Sequence, residues 1–331
     1  MTSSLIIAMT CSSISQARPV PDFGDSITWA DSGENPSLAN LEGKSVLILF
    51  FQSWCGICNG WSGNLFKDLE KHYQDDRQVV IVALKTDGGS IKDAENYLNS
   101  RADTSNWLVG VDKNASYYKS VAGNDRLYQH AWIKPDGTIG ELKKSGSYTP
   151  LKNGKKLFSL ASPQNISRFH KGAKAHFSDS QSWGDEIAEA VTAAEQGLFL
   201  TALKLTQRNN SEGAKQLRTA IGERVDRSIT NLTAKVNDPS NEARYPSLLK
   251  LTQLADSFGN SPQGKTAQNV VNAQQRLPWI RDEKEAHKDY LSIMKRAARA
   301  DDERDHKRIK QALLKLSEKY PATYYGRTAG L

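Results

Sequence analysis

"VLILFFQSWCGICNGW", running from Val46 to Trp61, decides how this chain of 331 residues folds. Its first part, Val46 to Phe51, is unbroken apolar sequence, short and rich in β-branched and aromatic side chains. A strand with one wet face alternates apolar and polar residues, so an unbroken apolar run predicts a strand buried on both faces. The second part places Cys55 and Cys58 three residues apart, where the strand gives way to a helix. Trp61, Leu65, Leu69 and Tyr73 then recur every four residues through "GWSGNLFKDLEKHYQDD", the stripe of an amphipathic helix.

The same alternation continues on the C-terminal side. "QVVIVALKTDGG" from Gln78 reads as a second buried strand closed by turn residues, and "IKDAENYLNSR" from Ile91 as a helix. "WLVGVDK" from Trp107 reads as a third strand and "ASYYKSVAG" from Ala115 as a short helix ended by Gly123. "YQHAWIKPDGTIGEL" from Tyr128 predicts two strands around a turn at Pro135-Asp136-Gly137. Strands alternating with helices and finishing in a hairpin predict an α/β sheet with helices on both faces.

From Thr149 to about Trp183 the periodicity fades, which reads as a linker or irregular extension. From Asp185 onward strand signals stop and amphipathic helices follow one another, beginning with "DEIAEAVTAAEQGLFLTALKLTQ", so an all-helical second domain is expected over 185–331. Within it, "LLKLTQLADSFGNSPQGKTA" from Leu248 echoes "LLKLSEKYPATYYGRTA" from Leu313, with Gly264-Lys265-Thr266-Ala267 matching Gly326-Arg327-Thr328-Ala329. The echo suggests a helical hairpin whose second helix opens on small residues and packs closely, as in stacked solenoid repeats; the separation is near twice the tetratricopeptide period of about 34 residues.

The totals narrow the functional classes. Hydrophobic residues make up 38% and charged ones 24%, the composition of a globular chain. The net charge is +7, but 44 basic residues stand among 37 acidic ones, and "DEKEAHKDYLSIMKRAARADDERDHKRIKQ" interleaves the signs at helical spacing. That is the pattern of a solvated helix face, and no nucleic-acid partner is expected. No apolar run reaches eighteen residues, so no transmembrane span is expected. The first residues, "MTSSLIIAMTCSSISQARPVPDF", carry a short apolar segment from Leu5 to Met9 and then Ser15-Gln16-Ala17, which reads as a signal peptide over 1–17 and an extracytoplasmic location, with a cytoplasmic tail as the alternative. Cleavage after Ala17 would remove Cys11 and leave Cys55 and Cys58.

Between a buried strand and the first turn of a helix, cysteines at i and i+3 stand near the roughly 5.5–6 Å Cα separation of a disulfide. Cys55, at the helix start, would have its thiolate favoured by free backbone N–H groups and the helix dipole, which makes it the attacking thiol. Cys58, one turn in, would resolve the mixed disulfide. A structural staple is the alternative, although so short a loop removes little chain entropy. Zinc would need four ligands, and neither a further cysteine after Cys58 nor a paired histidine spacing supplies them; no metal or cofactor is expected.

Strand, Trp54-Cys55-Gly56-Ile57-Cys58, helix and closing hairpin together resemble the thioredoxin superfamily, and within it the extracytoplasmic thiol-disulfide oxidoreductases related to cytochrome-maturation proteins. Ser37-Leu38-Ala39-Asn40-Leu41-Glu42-Gly43-Lys44 and Trp132-Ile133-Lys134-Pro135-Asp136-Gly137-Thr138-Ile139 resemble the same branch. The resemblance spans about Pro21 to Leu142 and implies a thioredoxin-like domain over 18–148; the fading periodicity leaves 149–184 as a linker or irregular extension, and the echoed hairpins make 185–331 a helical domain resembling tetratricopeptide repeats. The resemblance also implies exchange with protein thiols or disulfides, with Trp54, Gly56 and Ile57 shaping the site. Two positions depart from the family. Tyr128 stands where the family has its cis-proline, a bond too costly for other residues at about 2.5–4 kcal/mol. Leu49 stands where thioredoxin has a buried acid; His130 could face the cysteines as a proton carrier, with a strand histidine whose hydrogen bonds are satisfied as the alternative. A redox-inert adaptor, binding partner proteins through its helical repeats, is the competing expectation.

Overall fold

The computed structural model describes residues 20–23, 26–30, 34–54, 56–122, 129–144, 148–150, 156–158, 163–177, 183–297 and 303–330. A six-stranded mixed sheet is its centre. The strands are β1 (Ile27–Trp29), β2 (Ser45–Phe51), β3 (Val79–Lys85), β4 (Leu108–Asp112), β5 (Gln129–Ile133) and β6 (Ile139–Lys144), in the spatial order β1-β4-β3-β2-β5-β6. β2, β3 and β4 run parallel, whereas β1, β5 and β6 pair antiparallel with their neighbours. Every residue of β2, β3 and β4 is buried, as their apolar runs require, and the burial extends to Ser45, Lys85 and Asp112 at the strand ends.

Alternation along the strands divides the core in two. Leu47, Leu49 and Phe51 of β2 point to one face, where α1 (Gly56–Tyr73) and α2 (Ile91–Asn99) cover them with Leu65, Phe66, Leu69, Ala94 and Leu98. Val46, Ile48 and Phe50 point to the other, under Tyr117, Tyr118 and Val121 of α3 (Ser116–Ala122). Ser90 starts α2 with a reciprocal capping box on Asp93, which satisfies donors that the first helical turn leaves free. The sequence predicts an α/β sheet with helices on both faces and an all-helical region after it, and the structure has both.

From Tyr148 onward, into the stretch 149–184, the structure holds a two-stranded hairpin, β7 (Tyr148–Pro150) with β8 (Lys156–Phe158), and α4 (Pro163–His170). α4 supplies Phe169, which stacks on Trp132 of β5 with ring centroids 5.4 Å apart. The helices beyond are α5 (Ala188–Glu195), α6 (Phe199–Thr206), α7 (Glu212–Asn237), α8 (Arg244–Phe258), α9 (Pro262–Gln275), α10 (Trp279–Ala297), α11 (Glu303–Lys319) and α12 (Tyr324–Ala329). The sequence reads as one helix through α5 and α6, but the chain turns at Gly197, whose carbonyl accepts from Asn40 Nδ2 at 2.9 Å. Gly197 takes φ 74°, the left-handed conformation that glycine adopts freely at a helix end, and the Asn40 contact ties that turn to the sheet. The same contact surface joins the two parts into one apolar core, running from Val46 and Ile48 through Phe177 to Ala190, Phe199 and Leu217.

The repeated sequence in the helical region folds the same way twice. α8 leads into α9 through the N-cap Ser261, whose hydroxyl accepts from the Gly264 N–H at 3.0 Å, and α11 leads into α12 through Thr323, whose hydroxyl accepts from the Gly326 N–H at 3.0 Å. At Gly264 a Cβ would overlap the Gly259 carbonyl oxygen, and at Gly326 it would overlap that of Tyr320. Glycine at these two positions is what lets each second helix turn back against its partner.

Candidate functional site

The parallel strands β2 and β3 end side by side, and the cysteine motif follows β2 directly. In open α/β sheets this carboxyl edge is where ligands and reacting groups gather, because loops there converge while strands and helices hold them. Phe51 is the last residue of β2, Gln52 to Trp54 form a turn, and α1 begins at Gly56. Gly56, Ile57 and Cys58 form the first turn of α1. Cys55 and Tyr128 lie outside the described residues, as does the segment over 1–17 read as a signal peptide. No acidic residue stands in the first turn of α1, so its positive end is not neutralised from within the helix. Trp54 is 67% exposed, a large apolar surface turned to solvent immediately before the motif.

His130 sits on β5 opposite Leu49 of β2, and paired residues of adjacent strands share a face. It therefore lies on the α1 side of the sheet, fully buried. Its Nε2 is 4.0 Å from Glu141 Oε1 on β6, also buried. The structure thus brings an imidazole and a carboxylate together on the face that α1 covers, beside Leu49.

The turn before Cys55 has an anchor that the sequence reading missed. Ser53 donates its N–H and its hydroxyl to Asp87 Oδ2, each at 2.9 Å. Asp87 Oδ1 lies 2.6 Å from Lys85 Nζ, and both side chains are nearly buried. Burial pushes the Asp87 carboxyl up, but the hydrogen bonds from Lys85 and Ser53 and the Lys85 charge outweigh it and hold it below the usual carboxylate range. "KTDGG" had read only as a turn; the usable signal was an acid at the end of the strand parallel to the one that carries the cysteines. Among the described residues, no group of three histidine, cysteine, aspartate or glutamate side chains could hold a metal ion, and no helix is long and apolar enough to cross a membrane.

No protein-family model matches the chain, and no curated protein does. Part of it is similar to solved structures. A thioredoxin-like superfamily protein is 19% identical with a TM-score of 0.36, covering 47% of this chain and 98% of its own. A thiol:disulfide interchange protein of the thioredoxin family from Chlorobium tepidum is 16% identical with a TM-score of 0.31, covering 39% of this chain and 86% of its own. A secreted disulfide oxidoreductase from Mycobacterium tuberculosis is 16% identical with a TM-score of 0.28, covering 34% of this chain and 76% of its own.

Proposed function

We propose that the chain is a thiol-disulfide oxidoreductase acting on protein thiols or disulfides outside the cytoplasm. The observation that carries this reading is the position of the motif: Cys58 stands in the first turn of α1, directly after β2 at the carboxyl edge of the parallel strands, and no acid lies in that turn. In the reducing direction the Cys55 thiolate attacks one sulfur of a client disulfide, whose S–S bond breaks as a mixed disulfide forms and one client thiolate leaves. Cys58 gives up its proton and attacks the Cys55 sulfur, the mixed disulfide breaks, and the second client thiol is released. Two electrons pass to the client and the cysteine pair ends oxidised; the oxidising direction is the reverse. The buried His130, with Glu141 4.0 Å away, is the proton acceptor this reading assigns to Cys58. Exposed Trp54 offers the client an aromatic face.

The test is reduction of the insulin disulfides by dithiothreitol with catalytic amounts of the chain. Acceleration that Cys55→Ser abolishes supports the reading, and a rate equal to dithiothreitol alone contradicts it. The duplicated hairpins of α8–α9 and α11–α12 favour a second role alongside this one, a tetratricopeptide-like surface that holds a partner protein near the thiols.

A further inference from the structure

The turn that leads into the cysteine motif is held by a charged network. Ser53, two residues before Cys55, gives both of its donors to one oxygen of Asp87, and the other oxygen of Asp87 faces Lys85. The strand ends are already joined beside this network, because Thr86 donates its N–H to the Phe51 carbonyl at 2.9 Å. Lys85 also donates to the Gly88 carbonyl. Asp93, in the first turn of α2, places a second carboxylate within the electrostatic reach of Lys85. Buried ion pairs are a poor source of stability, since desolvation consumes most of the attraction. A charged clamp two residues from a nucleophile has a more specific use.

We propose that Asp87 is a positioning residue for the thiol pair: its carboxylate fixes Ser53 and, with Lys85, sets the local charge against which Cys55 ionises. The proposal rests on the thiol-exchange reading given above. An anion beside the motif opposes a thiolate there, and the Lys85 cation favours one. Asp87 therefore offsets Lys85, keeps the thiol from ionising too readily, and draws the pair toward a more reducing potential. Asp93 would remain to offset Lys85 if the Asp87 charge were lost.

Asp87→Asn keeps an oxygen for Ser53 and removes the charge, whereas Asp87→Ala removes both. The experiment follows iodoacetamide alkylation of the fully reduced chain between pH 5 and 9, read peptide by peptide so that Cys11, Cys55 and Cys58 are separated, with the exchange equilibrium against glutathione alongside. In Asp87→Asn, Cys55 should alkylate about threefold faster at pH 6, with the whole profile displaced to lower pH, the size expected of one partly screened charge. The exchange equilibrium should move toward the reduced pair by a similar factor. Asp87→Ala should show the same displacement if it folds; Asp87→Asn carries the test if it does not. A reactive wild-type Cys55 with an unmoved Asp87→Asn profile overturns the positioning role alone. A wild-type Cys55 that reacts no faster than in the urea-unfolded chain overturns the thiol-exchange reading, and the positioning role with it.

Discussion

Lys44 and Glu195, 151 positions apart in the chain, meet as a buried ion pair where the helical region closes over the sheet. Lys44 also donates to the Arg77 carbonyl at 2.5 Å, and Glu195 accepts from the backbone N–H groups of His176 at 2.9 Å and Phe177 at 2.8 Å. Arg224 of α7 adds a hydrogen bond to the Glu42 carbonyl at 2.8 Å. Lys44 and Glu195 are thus each held by partners drawn from distant segments, which makes the loss of either one expensive. Glu195→Ala should lower stability by about 3–5 kcal/mol, because it strands a buried ammonium and two backbone donors. Urea unfolding followed by tryptophan fluorescence and far-ultraviolet circular dichroism should give coincident single transitions in the wild type, since one apolar core spans both parts. Two separated transitions would contradict that continuity.

His176 makes the same junction sensitive to acid. Burial first, then the nearby Arg224 and Lys44 cations, push its pKa down to about 2 from an ordinary 6.5. The folded state therefore holds this imidazole neutral while the unfolded chain protonates it. Its contribution to stability is complete above about pH 6.5 and declines as the pH falls toward the folded value. The midpoint of urea unfolding should drop between pH 7.5 and pH 5, and His176→Gln should flatten that drop.

The paired glycines give a local test of the helical repeat. Gly264→Ala and Gly326→Ala each force a methyl group onto a backbone carbonyl and should cost about 1–3 kcal/mol. Gly63, in α1, has open space where a Cβ would go, and Gly63→Ala should instead gain about 0.5–1 kcal/mol from helix propensity. Thermal melts of the three variants separate the two effects by sign.

Cys58→Ser should leave a mixed disulfide between Cys55 and a client unresolved. Mixing the reduced variant with oxidised insulin and quenching in acid should yield a covalent adduct that dithiothreitol releases. Cys55→Ser should yield almost none, because the thiol that remains lies one turn inside the helix. Equal adducts from both variants would contradict the assignment of nucleophile and resolving thiol.

Much of the sheet was legible in the sequence because burial dictated composition. Val46 to Phe51 and Val79 to Leu84 are apolar at every position, and the structure buries each of them. Trp61, Leu65, Leu69 and Tyr73 announced α1 by their spacing. Other features depended on partners distant in sequence. The break at Gly197 answers to Asn40, Lys44 finds Glu195, and Phe169 finds Trp132, none of which leaves a local period. At the site, the cysteine spacing pointed to the chemistry, while Asp87 looked like an ordinary turn residue until Ser53 was placed beside it. His130 was visible as a candidate, but Glu141 entered only through the β5–β6 register.

The reduction potential of the Cys55–Cys58 pair tests the central claim most directly. It is obtained by equilibrating the chain with graded mixtures of reduced and oxidised glutathione or dithiothreitol, trapping free thiols by alkylation, and reading the mass. A reversible two-electron transition between about −120 and −270 mV is the predicted result, the range in which exchange catalysts operate. A potential below about −300 mV would make the pair a structural crosslink and contradict the account.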